Sequence, residues 1–172
     1  HVAAEAFALT AGALRLHNGI EADARIGPGA ADGRRGAGAI RQALELIRLA
    51  APGATVWLSP PTWPNHPSII KYLGMPMAEY RYFHEATRGV DFDGMMSDLR
   101  GLKAGDAVLL HGCCHNPTGA NLTLDQWKTV IEHLQKVGAI PLIDLAYQGF
   151  GDGLEEDAAA VRLLTSSLPE TL

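Results

Sequence analysis

Asn116, Asp144 and Tyr147 are the residues of this chain whose types and placing best suit them to chemistry. Asn116 sits in the polar run His111-Gly-Cys-Cys-His-Asn-Pro-Thr-Gly119, directly after the apolar stretch Ala107-Val-Leu-Leu110. Asp144 and Tyr147 follow in Ile143-Asp-Leu-Ala-Tyr-Gln-Gly-Phe150, at the end of the next apolar stretch. A carboxylate, a phenol and a carboxamide brought to one place can hold a charged aromatic ring by its edge. The carboxylate keeps such a ring protonated, because a nearby opposite charge favours the charged form. Each residue also has a plain reading. Asp144 alone is a helix cap or loop anchor, Tyr147 a packing tyrosine with a wet hydroxyl, and Asn-Pro-Thr-Gly a turn.

The elements that must carry these residues alternate along the chain. A helix is expected over Ala39 to Leu49, with Ile40, Leu44 and Ile47 near helical spacing. Strands are expected at Thr55 to Leu58, Met77 to Phe83, Ala107 to Leu110 and Ile140 to Leu145. Helices are expected at Asn65 to Leu73, Phe92 to Leu99 (capped by Asp91 or Asp93) and Leu154 to Ser166. Thr123 and Gln126 form a capping box that opens another, with Trp127, Val130, Ile131 and Leu134 as its buried stripe. This order predicts an α/β fold, a mostly parallel sheet with helices on both faces. Ligands of such sheets gather at the carboxyl ends of the strands. Ser59 to Trp63, His111 to Gly119 and Asp144 to Gln148 all fall there.

The first 38 residues read differently. Val2 to Leu16 suits an Ala-rich helix, while Ile26 to Gly38 shows no period and is expected to be poorly ordered. The chain has 172 residues, 47% of them hydrophobic and 19% charged, enough for one domain with a real core. Its net charge of −5 argues against a nucleic-acid partner, and no apolar run is long enough to span a membrane. Adjacent Cys113 and Cys114 make a poor disulfide and give no metal-site spacing, so a reducing cytosol and no metal are expected. The chain opens at His1 without Met and stops at Pro169-Glu-Thr-Leu172, where an apolar stretch begins. It is expected to be an interior piece of a longer polypeptide.

Together these motifs resemble the aspartate and aromatic-amino-acid aminotransferases, fold-type I enzymes of the pyridoxal-phosphate superfamily. The resemblance is continuous from about Gly38 to the last residue and implies that 39–172 is part of the cofactor-binding large domain. It implies that Asp144 pairs with the pyridine nitrogen of pyridoxal 5'-phosphate, with His66 behind it holding the carboxylate. It implies that Tyr147 and Asn116 bond the cofactor's phenolic oxygen, and that Asn116-Pro117 is the family's cis peptide. Trp63 is implied to stack on the ring, and Trp63 and Asn116 to meet the substrate carboxylate. Transamination of aspartate or aromatic amino acids with 2-oxoglutarate follows, in a homodimeric parent.

Two departures stand against that pattern. The family's Gly-Gly-Thr-Gly or Ser-Gly-Thr-Gly phosphate loop corresponds to Arg35-Gly36-Ala37-Gly38, so Gly36 and Ala37 are expected at the phosphate without the Thr hydroxyl. The family's Schiff-base lysine is expected past Leu172, since Lys71, Lys103, Lys128 and Lys136 sit in unrelated contexts. No catalytic residue is therefore assigned here, and the chain alone is expected to transaminate nothing. An inactive remnant with weak cofactor binding is the alternative. A Rossmann domain fails on two counts: Gly36-Ala-Gly38-Ala-Ile-Arg41 lacks the third Gly, and no acid ends the strand at Leu58-Ser59.

Overall fold

The computed structural model describes residues 33–168 and 171–172, together with the short segments 14–15 and 21–22. Leu14–Arg15 (β1) and Glu21–Ala22 (β2) pair antiparallel. The helix expected over Val2 to Leu16 lies outside the described residues except at Leu14–Arg15. A strand stands there, its backbone groups satisfied across the chain rather than along it.

Helix α1 covers Gly33–Ala50 and begins six residues ahead of the expected Ala39. Its packed face starts only at Ile40, continuing through Leu44 and Ile47, all buried. Nucleation is the costly step of helix formation and propagation the cheap one. A helix anchored by those three side chains therefore extends backward through Arg and Ala despite Gly33, Gly36 and Gly38. The helix thus takes in residues 33–38, where the sequence shows no helical period; residues 26–32 lie outside those described.

The remaining elements are β3 (Val56–Leu58), α2 (Asn65–Tyr72), β4 (Met77–Glu79), β5 (Phe83–His84) and β6 (Gly89–Val90). They are followed by α3 (Phe92–Leu99), β7 (Ala107–His111), α4 (Leu124–Val137), β8 (Ile140–Asp144) and α5 (Leu154–Ser167). The sheet runs β4-β3-β7-β8 and every pairing in it is parallel. The single strand expected over Met77 to Phe83 divides. Tyr80 and Tyr82 leave the sheet to bury their rings, donating from their hydroxyls to the carbonyls of Leu109 and Ala120. Phe83–His84 then pairs with Gly89–Val90 as a separate hairpin. Leu172 hydrogen-bonds across Pro141 and Ile143, placing it beside β8 where the next strand is expected.

Strand β7 shows why the sheet is covered on both sides. Ala107 and Leu109 join one buried cluster with Leu44, Ile47 and Ile70, while Val108 and Leu110 join another with Trp127, Leu134 and Leu164. Successive side chains of a strand face opposite ways, so a strand apolar throughout needs helices above and below. Helices α1 and α2 cover one face, and α4 and α5 the other. The Thr123–Gln126 capping box is present in both directions, and Gly138 closes α4 at φ 76°. No helix among the described residues is long and apolar enough to cross a membrane.

Leu134 is fully buried on the α4 stripe. Leu134→Ala is expected to lower unfolding free energy by about 3 kcal/mol, within the usual range for a core leucine. Urea unfolding with an unchanged m-value checks it. A loss below about 0.5 kcal/mol, the scale of a surface substitution, would take this stripe out of the core.

Candidate active site

Three parallel strands deliver polar residues to one edge. β3 runs out into Ser59, β7 ends at His111 and β8 ends at Asp144, with His111 and Asp144 direct partners in the ladder. The loop after β7 then lies tightly on the exit of β8. A Cβ at Gly112 would stand 2.9 Å from Leu145 and 3.0 Å from Val161, so only glycine lets the loop approach this closely.

Asp144 is bonded through Oδ2 to His66 Nε2 at 2.9 Å, and among the described residues no other side chain bonds its carboxylate. His66 comes from the first turn of α2 and is fully buried, whereas the Asp144 side chain remains 19% exposed. The imidazole Nδ1 lies 2.9 Å from Thr62 Oγ1, which lies 3.2 Å from His111 Nε2. The backbone N–H of Asn116 donates to His111 Nδ1 at 3.3 Å.

These four contacts have one consistent polarity. A backbone N–H only donates, so His111 Nδ1 accepts and its Nε2 carries the proton. Nε2–H then donates to Thr62, whose own hydroxyl proton is left for His66 Nδ1. His66 Nε2–H is thereby aimed at Asp144. One backbone amide sets the proton positions of two histidines and presents a donor to the carboxylate.

Burial holds His111 neutral, with His66 acting in the same direction and Asp144 opposing, and brings its pKa down to about 4. Burial, with His111 and His66 beside it, brings His115 down to about 3. His115 is fixed between Ser59 Oγ at 3.0 Å and Thr118 Oγ1 at 2.8 Å, and it stacks on Tyr82 at 4.1 Å. Both folded values lie below the ordinary 6.5, so the unfolded chain binds protons that the folded chain refuses. Stability is full above about pH 6.5 and is expected to fall as pH drops toward 4 and then 3. Thermal unfolding across pH 7 to about 4 checks this, with His115→Gln flattening the slope; a flat profile would refute it.

The remaining expected residues are brought together in part. Asn116 Nδ2 donates to the Tyr147 hydroxyl oxygen at 3.4 Å, and Tyr147 is 42% exposed. The Asn116-Pro117 bond is cis, as is Pro60-Pro61, which the sequence reading did not single out. Trp63 meets His66 edge-on at 5.2 Å between ring centres. Gly36 and Ala37 are placed otherwise than expected. They lie inside α1, three residues or more beyond its start, where backbone N–H groups are taken up by carbonyls one turn earlier. The free amides of this helix belong to the turn that opens at Gly33, because the helix propagates past the glycines.

Two residues of the site were missed. Thr62 joins His66 to His111, and only its i,i+4 relation to His66 was readable in advance. Asp157, buried at the start of α5, accepts from the backbone N–H groups of Gly149, Gly151 and Asp152 at 2.8, 2.9 and 3.0 Å. Burial raises its carboxyl pKa, but these donors outweigh that and hold it below the usual carboxylate range. It anchors the turn that follows Tyr147. The alternation Gly149, Gly151, Gly153 ahead of an early-helix acid was the available signal.

Asp144, backed by buried His66, thus stands at the parallel strand ends beside the Asn116–Tyr147 pair. The sequence profile described as "Aminotransferase class I and II" matches residues 33–172, and the chain belongs to that family. It is 66% identical over 137 residues to the aromatic-amino-acid aminotransferase of Paracoccus denitrificans, covering 80% of this chain and 35% of that protein. It is 47% identical over 132 residues to an aspartate aminotransferase of Pseudomonas aeruginosa, covering 77% and 33%. Among solved structures, an aromatic amino acid aminotransferase with 3-indolebutyric acid superposes with TM-score 0.78 at 65% identity, over 79% of this chain and 34% of that one. An aromatic-amino-acid aminotransferase from Burkholderia pseudomallei, covalently bound to pyridoxal phosphate, superposes with TM-score 0.77 at 41% identity, over 79% and 34%. The chain spans about a third of the length of the curated relatives it matches.

Proposed function

We propose that the complete polypeptide carrying this chain transfers the amino group of aspartate or an aromatic amino acid to 2-oxoglutarate, with pyridoxal 5'-phosphate as cofactor. The observation that carries this reading is the Asp144 carboxylate, tied at one oxygen to buried His66 and otherwise free of side-chain partners among the described residues. That donor set fits the cofactor: an anion for a ring cation, and the Asn116–Tyr147 pair for a ring oxygen. When bound, the cofactor supplies a protonated ring that stabilises carbanion character at the amino acid's α-carbon.

The chain's own residues do the rest. Asp144 holds a proton on the ring nitrogen, and His66 keeps the carboxylate turned toward it. Asn116 and Tyr147 donate to the ring oxygen. Trp63 covers the ring and, with Asn116, meets the substrate carboxylate. The phosphate belongs at the turn that opens α1 at Gly33, ahead of Gly36 and Ala37, where a helix N-terminus favours an anion. Its donors there are the first-turn amides, since Ala37 offers no hydroxyl. The assembly is a cytosolic homodimer, on the strength of the family likeness.

A second reading concerns the 172 residues by themselves: an inactive remnant with weak cofactor binding. Lys71, Lys103, Lys128 and Lys136 are all exposed, and Lys128 is occupied with Asp125. None bonds Asp144, Asn116 or Tyr147. The family's lysine is therefore proposed to come from a segment outside these residues. Absorbance spectra with added cofactor, before and after borohydride, separate the readings. The complete polypeptide should retain the cofactor irreversibly after borohydride and transfer amino groups; these residues alone should release it. Failure of the complete polypeptide to take up cofactor ends the proposal.

A further inference from the structure

Cys113 and Cys114 are adjacent, and neighbouring side chains on an extended chain point to opposite sides. Here they converge. Cys114 has φ 46°, a left-handed conformation uncommon for residues other than glycine, and the chain turns at that point. The two sulfurs and a carboxylate oxygen of Asp157 all lie within 4.8 Å of one another. The pair to which sequence spacing gave no ligand role is thus gathered by the fold. Cys113 is 6% exposed, while Cys114 is half-buried with its sulfur 4.0 Å from the Tyr147 carbonyl oxygen.

The surroundings decide what such a pair can take. Asp157 is engaged with three backbone N–H groups, so it is not free to serve as a ligand. Zinc needs deprotonated sulfur and about four ligands in a structural site. Burial first, then Cys114 and Asp157 alongside, pushes the Cys113 thiol up to about 12, which disfavours two thiolates there. An internal disulfide is also poorly served. Adjacent Cα atoms stand about 3.8 Å apart, below the roughly 4.4–6.8 Å that disulfides adopt. What suits two close sulfurs, with Cys113 buried and beside an occupied carboxylate, is an uncharged centre that bridges two sulfurs and needs no further protein ligand.

We propose that Cys113 and Cys114 form a two-point binding site for a trivalent arsenical of the type R–As=O. Two S–H bonds and the arsenic–oxygen double bond break, and two S–As bonds form. Both protons leave on the oxygen as water. Arsenic stays trivalent and the product is neutral, so no oxidant is needed and no charge is added beside Asp157. The more accessible Cys114 reacts first. Cys113 then closes the ring as an intramolecular partner at high effective concentration. Loss of the Cys114 S–H also removes its contact with the Tyr147 carbonyl oxygen.

Phenylarsine oxide is the probe, and mass spectrometry with peptide mapping the readout. The chain has only these two cysteines. The expected result is one phenylarsenic group on the 113–114 peptide with loss of two hydrogens. It should survive excess 2-mercaptoethanol and be removed by 1,2-ethanedithiol. Cys114→Ser, at the half-buried position, should make any adduct labile to 2-mercaptoethanol and weaken retention by about 100-fold or more, as loss of the second attachment requires. Cys113→Ser should do the same. A wild-type adduct washed out by 2-mercaptoethanol would overturn the proposal. So would a Cys114→Ser adduct that resists it, or protection of the thiols by equimolar zinc.

Discussion

Asp144→Asn in the complete polypeptide is expected to reduce kcat/KM for amino transfer by on the order of 10²–10³-fold, as loss of a preorganised electrostatic partner does. Asparagine has the same size, and its side-chain oxygen still accepts from His66 Nε2–H, so the local packing survives. What is lost is the charge. An opposite charge within a few ångströms shifts a partner's pKa by about 1–3 units. Each unit corresponds to about 1.4 kcal/mol. The Asp144 side chain is only 19% exposed, so solvent screens little of this interaction. Cofactor retention should weaken, and the spectral pH dependence of the bound cofactor should move to lower pH because its ring nitrogen loses its proton more easily. Urea stability should change far less than activity. A variant within about tenfold of wild type would remove the carboxylate from its proposed role, since tenfold is only 1.4 kcal/mol.

How far the sequence reaches is visible in particular residues. Helix α4 was readable almost to the residue, because capping and burial both act over three or four positions: Thr123 caps Gln126, and Trp127, Val130, Ile131 and Leu134 repeat on one face. Strand β7 was readable because a short run apolar on both faces has few other homes. Gly33 as the start of α1 was not. Its glycines argue against helix locally, and the side chains that stabilise the helix lie a turn or two further on. The break at Tyr80 was hidden for a similar reason: alternation predicts a strand, while the partners of the two tyrosine hydroxyls come from Leu109 and Ala120.

The site divides along the same line. Asp144 beside His66 was expected only from the family resemblance, since a contact between residues 78 positions apart leaves no local trace. Thr62 was read merely as part of a polar strand end. Its link to His111 depends on β3 and β7 lying side by side in a particular register, which no periodicity specifies. Gly36 and Ala37 show the opposite failure. The motif was expected to open a helix, and the helix here begins three residues ahead of Gly36.

Thr62→Val tests the hydrogen-bond polarity that ends at Asp144. Valine keeps the shape and removes the hydroxyl, leaving His111 Nε2–H without its acceptor and His66 Nδ1 without its donor. Each buried polar atom so orphaned costs about 1–3 kcal/mol, so for the two a loss of roughly 2–6 kcal/mol in folding stability is expected. The second effect is more specific. Without Thr62, only the Asp144 carboxylate is left to favour a proton on His66 Nε2 over Nδ1. If Nδ1 takes it, Nε2 faces Asp144 as a lone pair and the carboxylate loses its one side-chain donor. Nitrogen-15 shifts of the His66 ring report the tautomer directly. Wild type should show a protonated Nε2, Thr62→Ser should preserve it, and Thr62→Val should give a mixture. Should the valine variant keep wild-type stability and a wholly Nε2-protonated His66, the proton on that nitrogen is held by Asp144 alone, and the backbone amide of Asn116 has no say in how the carboxylate is presented.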